Sequence, residues 1–295
     1  MPEPPEVETV RRGLVPAMEG RRFEHVELRR ANLRFPFPDR FAARLEGRHL
    51  VRLERRAKYL VAHIEGGETL AMHLGMSGRF TISELGGANA RQLGEFEHDT
   101  GASDKHDHAV FRMSGGTTVT YNDTRRFGYM VLIERGGLAT HDLFQDLGIE
   151  PLGPELTPTY VAGRARRRKS DLKAFLMDQR IIAGLGNIYV CETLWRARLS
   201  PSAAAGSLVD AKGRAKPAVS RLIPAITSVL SEAIAAGGST LRDYKNADGG
   251  LGYFQHSFDA YGRAGEKCRA RACRGIIKRN VQAGRSTFYC PVCQR

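Results

Sequence analysis

Apolar and polar positions change their spacing near residue 150, and that change divides the chain. Val7, Val10 and Leu14 fall on one face of a helix that closes near Gly20. From there to about residue 150 the chain reads mostly as short strands. Val26 and Leu28 alternate with charge, Leu50 to Leu53 runs on to Lys58, and Tyr59–Ile64 follows. Gly66-Gly67 turns the chain into Thr69–Leu74; later come Ala109–Met113, a turn at Ser114–Gly116, Thr117–Tyr121 and Tyr129–Ile133. Short strands at this spacing, separated by glycine turns, predict an antiparallel sandwich or barrel. Residues 85–104 are polar and glycine-rich, which predicts a mobile surface loop. Gly148–Pro158 carries Pro151, Pro154 and Pro158 and reads as a linker between domains. Beyond it the spacing becomes helical: Leu172, Phe175, Leu176 and Gln179 set one face, and Gly184–Asn187 makes a tight turn into a helix from Ile188 to Arg198. A longer helix over about 217–236 is closed by Gly237-Gly238, and Asp248–Gly252 is predicted as a flexible loop.

Composition narrows the picture. A chain of 295 residues with 42% hydrophobic content has the length of two domains and can bury real cores. No apolar run approaches the ~18 residues of a membrane span, and no charged-then-apolar signal segment precedes the first helix, so a cytoplasmic location is expected. Lys and Arg outnumber Asp and Glu by 45 to 32, a net charge of +13. Such a field attracts polyanions and supplies the salt-dependent part of nucleic-acid binding. Cysteine usage in that compartment argues against a disulfide framework.

The cysteines point instead to metal. Cys268 and Cys273, then Cys290 and Cys293, form two close pairs separated by a hairpin-sized segment, the arrangement of a structural four-cysteine zinc site. Ile276-Ile277 and Thr287–Tyr289 read as the hairpin strands, with Lys278, Arg279 and Arg285 placed for phosphate contacts. Cys191, on a helix, reads as a small buried hydrophobe. At the other end, the initiator Met precedes Pro2 and is expected to be trimmed. A prolyl α-amine titrates near 8, so part of it is neutral and nucleophilic at pH 7. Glu3 and Glu6 supply acid/base groups beside it; the same residues also suit an ordinary acidic helix start. The Gly184–Asn187 turn brings backbone N–H groups to a helix N-terminus that can hold phosphate, or serves simply as a helix–turn–helix corner. Thr124–Gly128 joins two cations and an aromatic ring in one turn, as a DNA-binding wedge or as an ordinary strand end with a core Phe. Lys58 is a lone cation after Arg55-Arg56, either functional or solvated surface.

Seven segments then occur in a fixed order: Pro2–Thr9, Arg55–Leu60, His73–Gly78, Lys105–His108, Asp123–Gly128, Gly184–Tyr189 and Thr287–Cys290. Together they resemble the bacterial formamidopyrimidine-DNA glycosylases, base-excision repair enzymes for oxidised purines, from Pro2 to Cys293. The resemblance implies an α+β fold: an N-terminal β-sandwich flanked by helices, then a C-terminal helical domain with a helix–two-turn–helix motif and a zinc-finger β-hairpin. The implied domains are 1–150 (catalytic sandwich), 151–257 (helical, DNA-binding) and 258–295 (zinc finger). Double-stranded DNA containing oxidised purines would cross a basic cleft with the damaged nucleotide flipped out. The protein would act as a monomer with one structural Zn²⁺ held by Cys268, Cys273, Cys290 and Cys293.

Position by position, the resemblance gives Pro2 as the nucleophile at the sugar C1′ and Glu3 as the acid that protonates the sugar ring. Glu6 supports that site, and Lys58 takes acid/base work around base loss and β-elimination. Arg285 grips phosphate and serves δ-elimination. His106, Arg125, Arg126, Lys169 or its neighbour Arg168, and Asn187 match DNA-contacting positions, and Lys173 matches a further phosphate-binding lysine. Met76, Arg125 and Phe127 would fill the void left by the flipped base, with Arg125 facing the orphaned cytosine. Asn246–Tyr253 would close over the lesion. The chain departs from the family pattern at Pro4, at Thr124, in the two extra residues between Cys268 and Cys273, and in the length of the 85–104 segment. The sister endonuclease for oxidised pyrimidines and a non-catalytic DNA-binding protein are the rival readings.

Overall fold

The computed structural model describes residues 2–84, 91–93, 104–239 and 254–295, in two compact units. The first unit comprises residues 1–145 and 234–255, the second 146–233 and 256–295.

In the first unit α1 (Pro4–Met18) opens with two prolines, whose missing N–H groups cost nothing in a first helical turn. Gly20, at φ +75°, takes the chain out of it. Two antiparallel sheets follow. One, in spatial order, is β1 (Phe23–Leu28), β7 (Asp107–Met113), β8 (Thr117–Asp123), β5 (Gly78–Glu84) and β6 (Arg91–Leu93). The other is β2 (Leu50–Arg56), β3 (Tyr59–Ile64), β4 (Thr69–His73) and β9 (Tyr129–Ile133). Phe23, Phe80, Phe111 and Val119 from the first sheet share one core with Leu53, Leu60, Leu70 and Met72 from the second. Val7, Val10 and Leu14 of α1 join the same core, so the predicted helical face and strand alternation serve one apolar interior. Each such side chain contributes roughly 1.5–3 kcal/mol by burial.

The second unit holds α3 (Pro158–Ala165), α4 (Leu172–Met177), α5 (Asn187–Ala197), most of α6 (Pro217–Ala235), and a hairpin of β10 (Lys278–Gln282) and β11 (Arg285–Tyr289). Thr157 and Asp171 cap α3 and α4 through their side chains, accepting from Tyr160 N–H and Ala174 N–H. Cys191 is buried on α5, as its reading as a small hydrophobe requires. The predicted mixed architecture of sandwich, helices and hairpin is the one observed.

Several expectations need correction. β5 and the short α2 (Phe41–Leu45) were not predicted, and Arg91–Leu93 pairs with β5 inside the segment read as loop. Gly148–Pro158 is not a free linker: Gly148 N–H donates to Gln179 O, and Ile149 bridges Ile182. α4 ends at Met177, leaving Gln179 to a different task below. The first hairpin strand starts at Lys278, directly after the predicted Ile276-Ile277. α6 is long and apolar enough by length and composition to cross a membrane, with mean hydropathy 1.3. Its residues Leu222, Ile226, Val229 and Leu230 are nevertheless buried within the protein. Asn246–Tyr253 and the Asp248–Gly252 stretch lie outside the described residues.

Candidate functional site

The chain start is built around one carboxylate. Pro2 and Glu3 are buried, and Glu3 is the N-cap of α1 in extended conformation. Glu3 N–H donates to Glu6 Oε2 at 2.9 Å, the back-reach of a capping box. The other oxygen, Glu6 Oε1, accepts Ser239 N–H at 2.8 Å and Ser239 Oγ at 2.9 Å. Gly238, at φ +88°, makes this approach possible, since a Cβ there would lie 3.1 Å from Glu6 Cγ. Glu6 therefore ties the residues beside Pro2 to the segment that leads into 240–253.

Lys58 lies in the tight turn between β2 and β3, only 9% exposed, next to Ala57 at φ +52°. Arg55 Nη1 donates to Ala57 O at 2.8 Å, and Arg55 Nε lies 3.6 Å from Glu8 Oε2. Burial pushes the Glu8 carboxyl up, but hydrogen bonds from Arg11 and Arg12 and the Arg11 and Arg55 charges hold it below its usual range. An ionised Glu8 thus joins α1 to the turn that carries Lys58. His73 is held neutral in the same unit: burial, then the charges of Lys58 and Arg34, lower its pKa to about 4. Its ring stacks on Tyr129 at 5.1 Å, and Nδ1 accepts Gly75 N–H at 3.0 Å, which leaves Nε2 as the protonated nitrogen of the neutral ring.

Met76 and Arg125–Phe127 occupy two loops that the structure brings together. Arg125 N–H donates to Ser77 Oγ at 3.0 Å. Gly75, at φ +64°, lies so close to Phe127 and Gly128 that a Cβ would strike their backbone. Phe127 is 43% exposed, and the Arg125 guanidinium lies 4.8 Å from its ring centroid. Arg125 and Arg126 are also exposed, while Met76 is half-buried. His106 lies in a single 3₁₀ turn (Asp104–His106) just ahead of β7 and is half-buried.

In the second unit, Gln179 shapes the turn before α5. Its Oε1 accepts Gly184 N–H and its Nε2 donates to Leu185 O, so Asn187 begins the helix. Asn187 Nδ2 donates to Ser286 O at 3.0 Å. Lys173 meets the same strand, with Nζ 2.6 Å from Thr287 Oγ1 and 3.2 Å from Ser286 O. Lys173 is 2% exposed and also lines a cavity beside Arg285. Burial, then the Arg285 charge, lowers its pKa. Arg285 itself is exposed, directly after the Ala283-Gly284 turn of the hairpin. Both turn residues have positive φ, as a two-residue hairpin of this twist demands. A cavity of about 220 Å³ adjoins Arg285, lined also by Asp171, Met177, Asp178 and Gln282. Arg168 is half-exposed with Nη1 3.9 Å from Asp178 Oδ2, and Lys169 is exposed.

The four terminal cysteines converge. Cys268 and Cys293 Sγ are 3.7 Å apart, Cys273 and Cys290 Sγ 3.6 Å, and all four sulfurs lie within 4.8 Å of one another. Thiolates about 2.3 Å from a tetrahedral zinc are roughly 3.8 Å apart, so the set fits that ion and leaves no position for water. Ala270 N–H, Gly275 N–H and Trp195 Nε1 point at Cys268 or Cys273 sulfur, the kind of outer support thiolate ligands need.

The sequence reading missed Ser239, Ser77 and Glu192. The Glu192 carboxylate, fully buried on α5, accepts the N–H groups of Asp259, Ala260 and Tyr261 at 2.7–3.0 Å. Ser77 falls within the His73–Gly78 segment and was legible there as a polar residue between glycines; nothing local marked the other two.

Three family descriptions cover most of the chain: Formamidopyrimidine-DNA glycosylase N-terminal domain over residues 1–130, Formamidopyrimidine-DNA glycosylase H2TH domain over 147–245, and Zinc finger found in FPG and IleRS over 265–295. The formamidopyrimidine-DNA glycosylase of Sinorhizobium fredii is 55% identical over 298 residues, covering all of both chains. That of Methylobacterium sp. strain 4-46 is 59% identical, covering 100% of this chain and 99% of the relative. Among solved structures, the MutM (Fpg) protein of Thermus thermophilus matches with a TM-score of 0.78 at 38% identity, covering 99% of this chain and 98% of that one. The Lactococcus lactis Fpg in complex with an abasic site containing DNA matches with a TM-score of 0.81 at 29% identity over the whole of both chains.

Proposed function

The chain belongs to the formamidopyrimidine-DNA glycosylase family, and from that premise we propose that it excises oxidised purines from duplex DNA and then cuts the strand. The lesions are 8-oxoguanine and the formamidopyrimidines. The observation that carries this reading is the buried Pro2–Glu3 start, held by Glu6 and joined through Glu8 and Arg55 to the Lys58 turn. With the initiator Met removed, the Pro2 nitrogen attacks C1′ of the flipped nucleotide. The C1′–N bond breaks and its electron pair leaves with the base. Glu3 protonates the sugar ring oxygen, and ring opening gives an iminium between Pro2 and C1′. The iminium acidifies the C2′ proton; its removal expels the 3′ phosphate, and a second elimination expels the 5′ phosphate. One covalent adduct therefore serves base release and both cuts, and leaves a one-nucleotide gap.

Lys58 takes the proton transfers around base loss and β-elimination, and Arg285 holds phosphate for δ-elimination. Met76, Arg125 and Phe127 fill the space vacated by the lesion, with Arg125 opposite the orphaned cytosine. His106, Arg126, Lys169 or its neighbour Arg168, and Asn187 contact the DNA, Lys173 holds phosphate, and the same Lys173 braces β11 beside Arg285. The Cys268–Cys273–Cys290–Cys293 zinc is structural, and the reaction proceeds in a monomer. Residues 1–150 carry the chemistry, 151–257 and 258–295 the grip.

Borohydride trapping on a duplex with 8-oxoguanine opposite cytosine tests the reading. A reduced adduct mapped to residue 2 by mass spectrometry, and lost in Pro2→Gly or when the N-terminus is blocked, is the expected result. An adduct on an internal lysine, with residue 2 unmodified, would overturn it. Faster excision of an oxidised thymine would move the reading to the pyrimidine-specific sister enzyme.

A further inference from the structure

Asp123, the last residue of β8, is fully buried, and its oxygens are shared between the two loops that carry Met76 and Arg125–Phe127. Oδ1 accepts Ser77 Oγ–H at 2.6 Å, and Ser77 Oγ in turn accepts Arg125 N–H. Oδ2 accepts Gly128 N–H at 2.8 Å and Tyr121 OH at 3.3 Å. The Asp123 carbonyl accepts His108 Nε2–H at 2.8 Å and Arg126 N–H at 3.2 Å. Each of Met76, Arg125 and Phe127 is therefore one residue from, or is itself, a direct or bridged partner of this residue. The glycines close the arrangement. A Cβ on Gly78 or Gly128 would collide with the Tyr121 hydroxyl, and one on Gly75 with the Phe127–Gly128 backbone. The second loop is also braced from outside, because Arg34 N–H donates to Gly128 O at 3.0 Å.

Burying a carboxylate costs several kcal/mol of lost hydration, and an apolar residue of the same volume is often as stabilising or more so. What the carboxylate supplies is two acceptors with fixed direction, each making charge-assisted bonds. Two loops 46 residues apart in sequence have few other means of keeping a constant separation. A wedge that must enter a base stack as the damaged base leaves works only if its parts arrive together, since a misplacement of about 1 Å can cost on the order of 100-fold.

We propose that Asp123 is a positioning residue that locks Met76, Arg125 and Phe127 into one rigid wedge and so governs base extrusion and opposite-base choice, not strand scission. The inference rests on the function proposed above. It separates two steps: extrusion needs the wedge, whereas a preformed abasic nucleotide is already unstacked. Asp123→Asn keeps the volume but puts an NH₂ group against one of the donors that both oxygens now accept.

The test compares Asp123→Asn and Ser77→Ala with the unmodified protein on three duplexes: 8-oxoguanine opposite cytosine, 8-oxoguanine opposite adenine, and a preformed abasic site. Asp123→Asn is expected to lower kcat for excision opposite cytosine by about ten- to a hundredfold, the worth of one charge-assisted hydrogen bond. Preference for cytosine over adenine should shrink, while abasic-site cleavage stays within about threefold of the unmodified protein. Ser77→Ala should move the same quantities less and add little in the Asp123→Asn background, because both act through one bond; it carries the test if Asp123→Asn does not fold. Equal losses on all three duplexes, or full excision by a folded variant, would overturn the proposal. Inactivity of the unmodified protein on every duplex would overturn the functional reading itself, and the inference with it.

Discussion

The sandwich and the cysteine hairpin solve the same problem, holding a few polar groups still, by opposite means. The sandwich surrounds Glu6, Lys58 and His73 with a core drawn from both sheets and α1. The hairpin has almost none: its buried cluster is Ala260, Cys268, Ile277 and Cys290, and the β10 residues Lys278–Val281 are exposed. A two-stranded hairpin of this kind is at best marginal in water. It is held by four sulfurs, by Lys173 and Asn187 on the Ser286–Thr287 stretch, and by Glu192 on the preceding loop. Apolar burial is non-directional and grows with size, so it can stabilise a large unit. Metal ligation and buried hydrogen bonds are directional, so they can fix a small one.

Metal removal should break the comparison most visibly. Structural zinc sites contribute about 10 kcal/mol or more to folding. Cys290→Ala, or strong chelation, is therefore expected to abolish amide-exchange protection in β10–β11 and to leave protection in β2–β4 intact. Loss of protection in both would mean that the sandwich depends on the metal.

Pro2→Gly is the converse change, removing chemistry without stability. Excision and trapping should fall by on the order of 10³-fold or more, as when a covalent nucleophile is lost, with abasic-DNA affinity and Tm unchanged. A parallel fall in affinity would assign Pro2 a binding role.

His73 sharpens the contrast through pH. Its folded pKa of about 4 lies below the ordinary 6.5, so the neutral ring is preferred in the fold. Its stabilising contribution is complete above pH 6.5 and is lost as pH falls toward 4, by at most roughly 3 kcal/mol. Denaturant unfolding at pH 7.5, 6 and 5 should show a steeper loss in the unmodified protein than in His73→Asn. Identical slopes would refute this.

The smallest effect is expected at Lys173→Met, which keeps the stem but deletes the ammonium. Ser286 O keeps Asn187 Nδ2, but depriving Thr287 Oγ1 of its donor should cost about 1–3 kcal/mol, read as lower exchange protection in β11 at unchanged sandwich Tm. A lowered salt slope of DNA binding would show that Lys173 also meets phosphate.

Much of the fold was legible because its signals are short-ranged. Strands β3 and β9 coincide with the apolar runs Tyr59–Ile64 and Tyr129–Ile133, and α1, α5 and α6 with the helical spacing. β5 begins at Gly78 of the Gly75–Gly78 turn, and its alternation is carried by only Phe80 and Ile82, too short a local signal to stand out beside that turn. Gln179 looked helical from its spacing, yet the turn at Gly184 offered its amide better partners. The sulfur cluster, the acidic helix start and the exposed Arg125–Phe127 turn were visible as residues. Their supports were not: Ser239 on Glu6 and Asp123 on Ser77 each join positions far apart in the chain.

Taken alone, the chain dictated which groups are present and which local shapes they adopt, because turns, caps, alternation and cysteine spacing depend on neighbours a few residues away. Three-dimensional packing settled which of those groups are spent inside the protein and which are offered outward. Lys173 and Arg285 are both cations in the second unit, yet one is buried against β11 and the other exposed at its start. That choice depends on strand register and on contacts between positions far apart in the chain, and no local pattern encodes it.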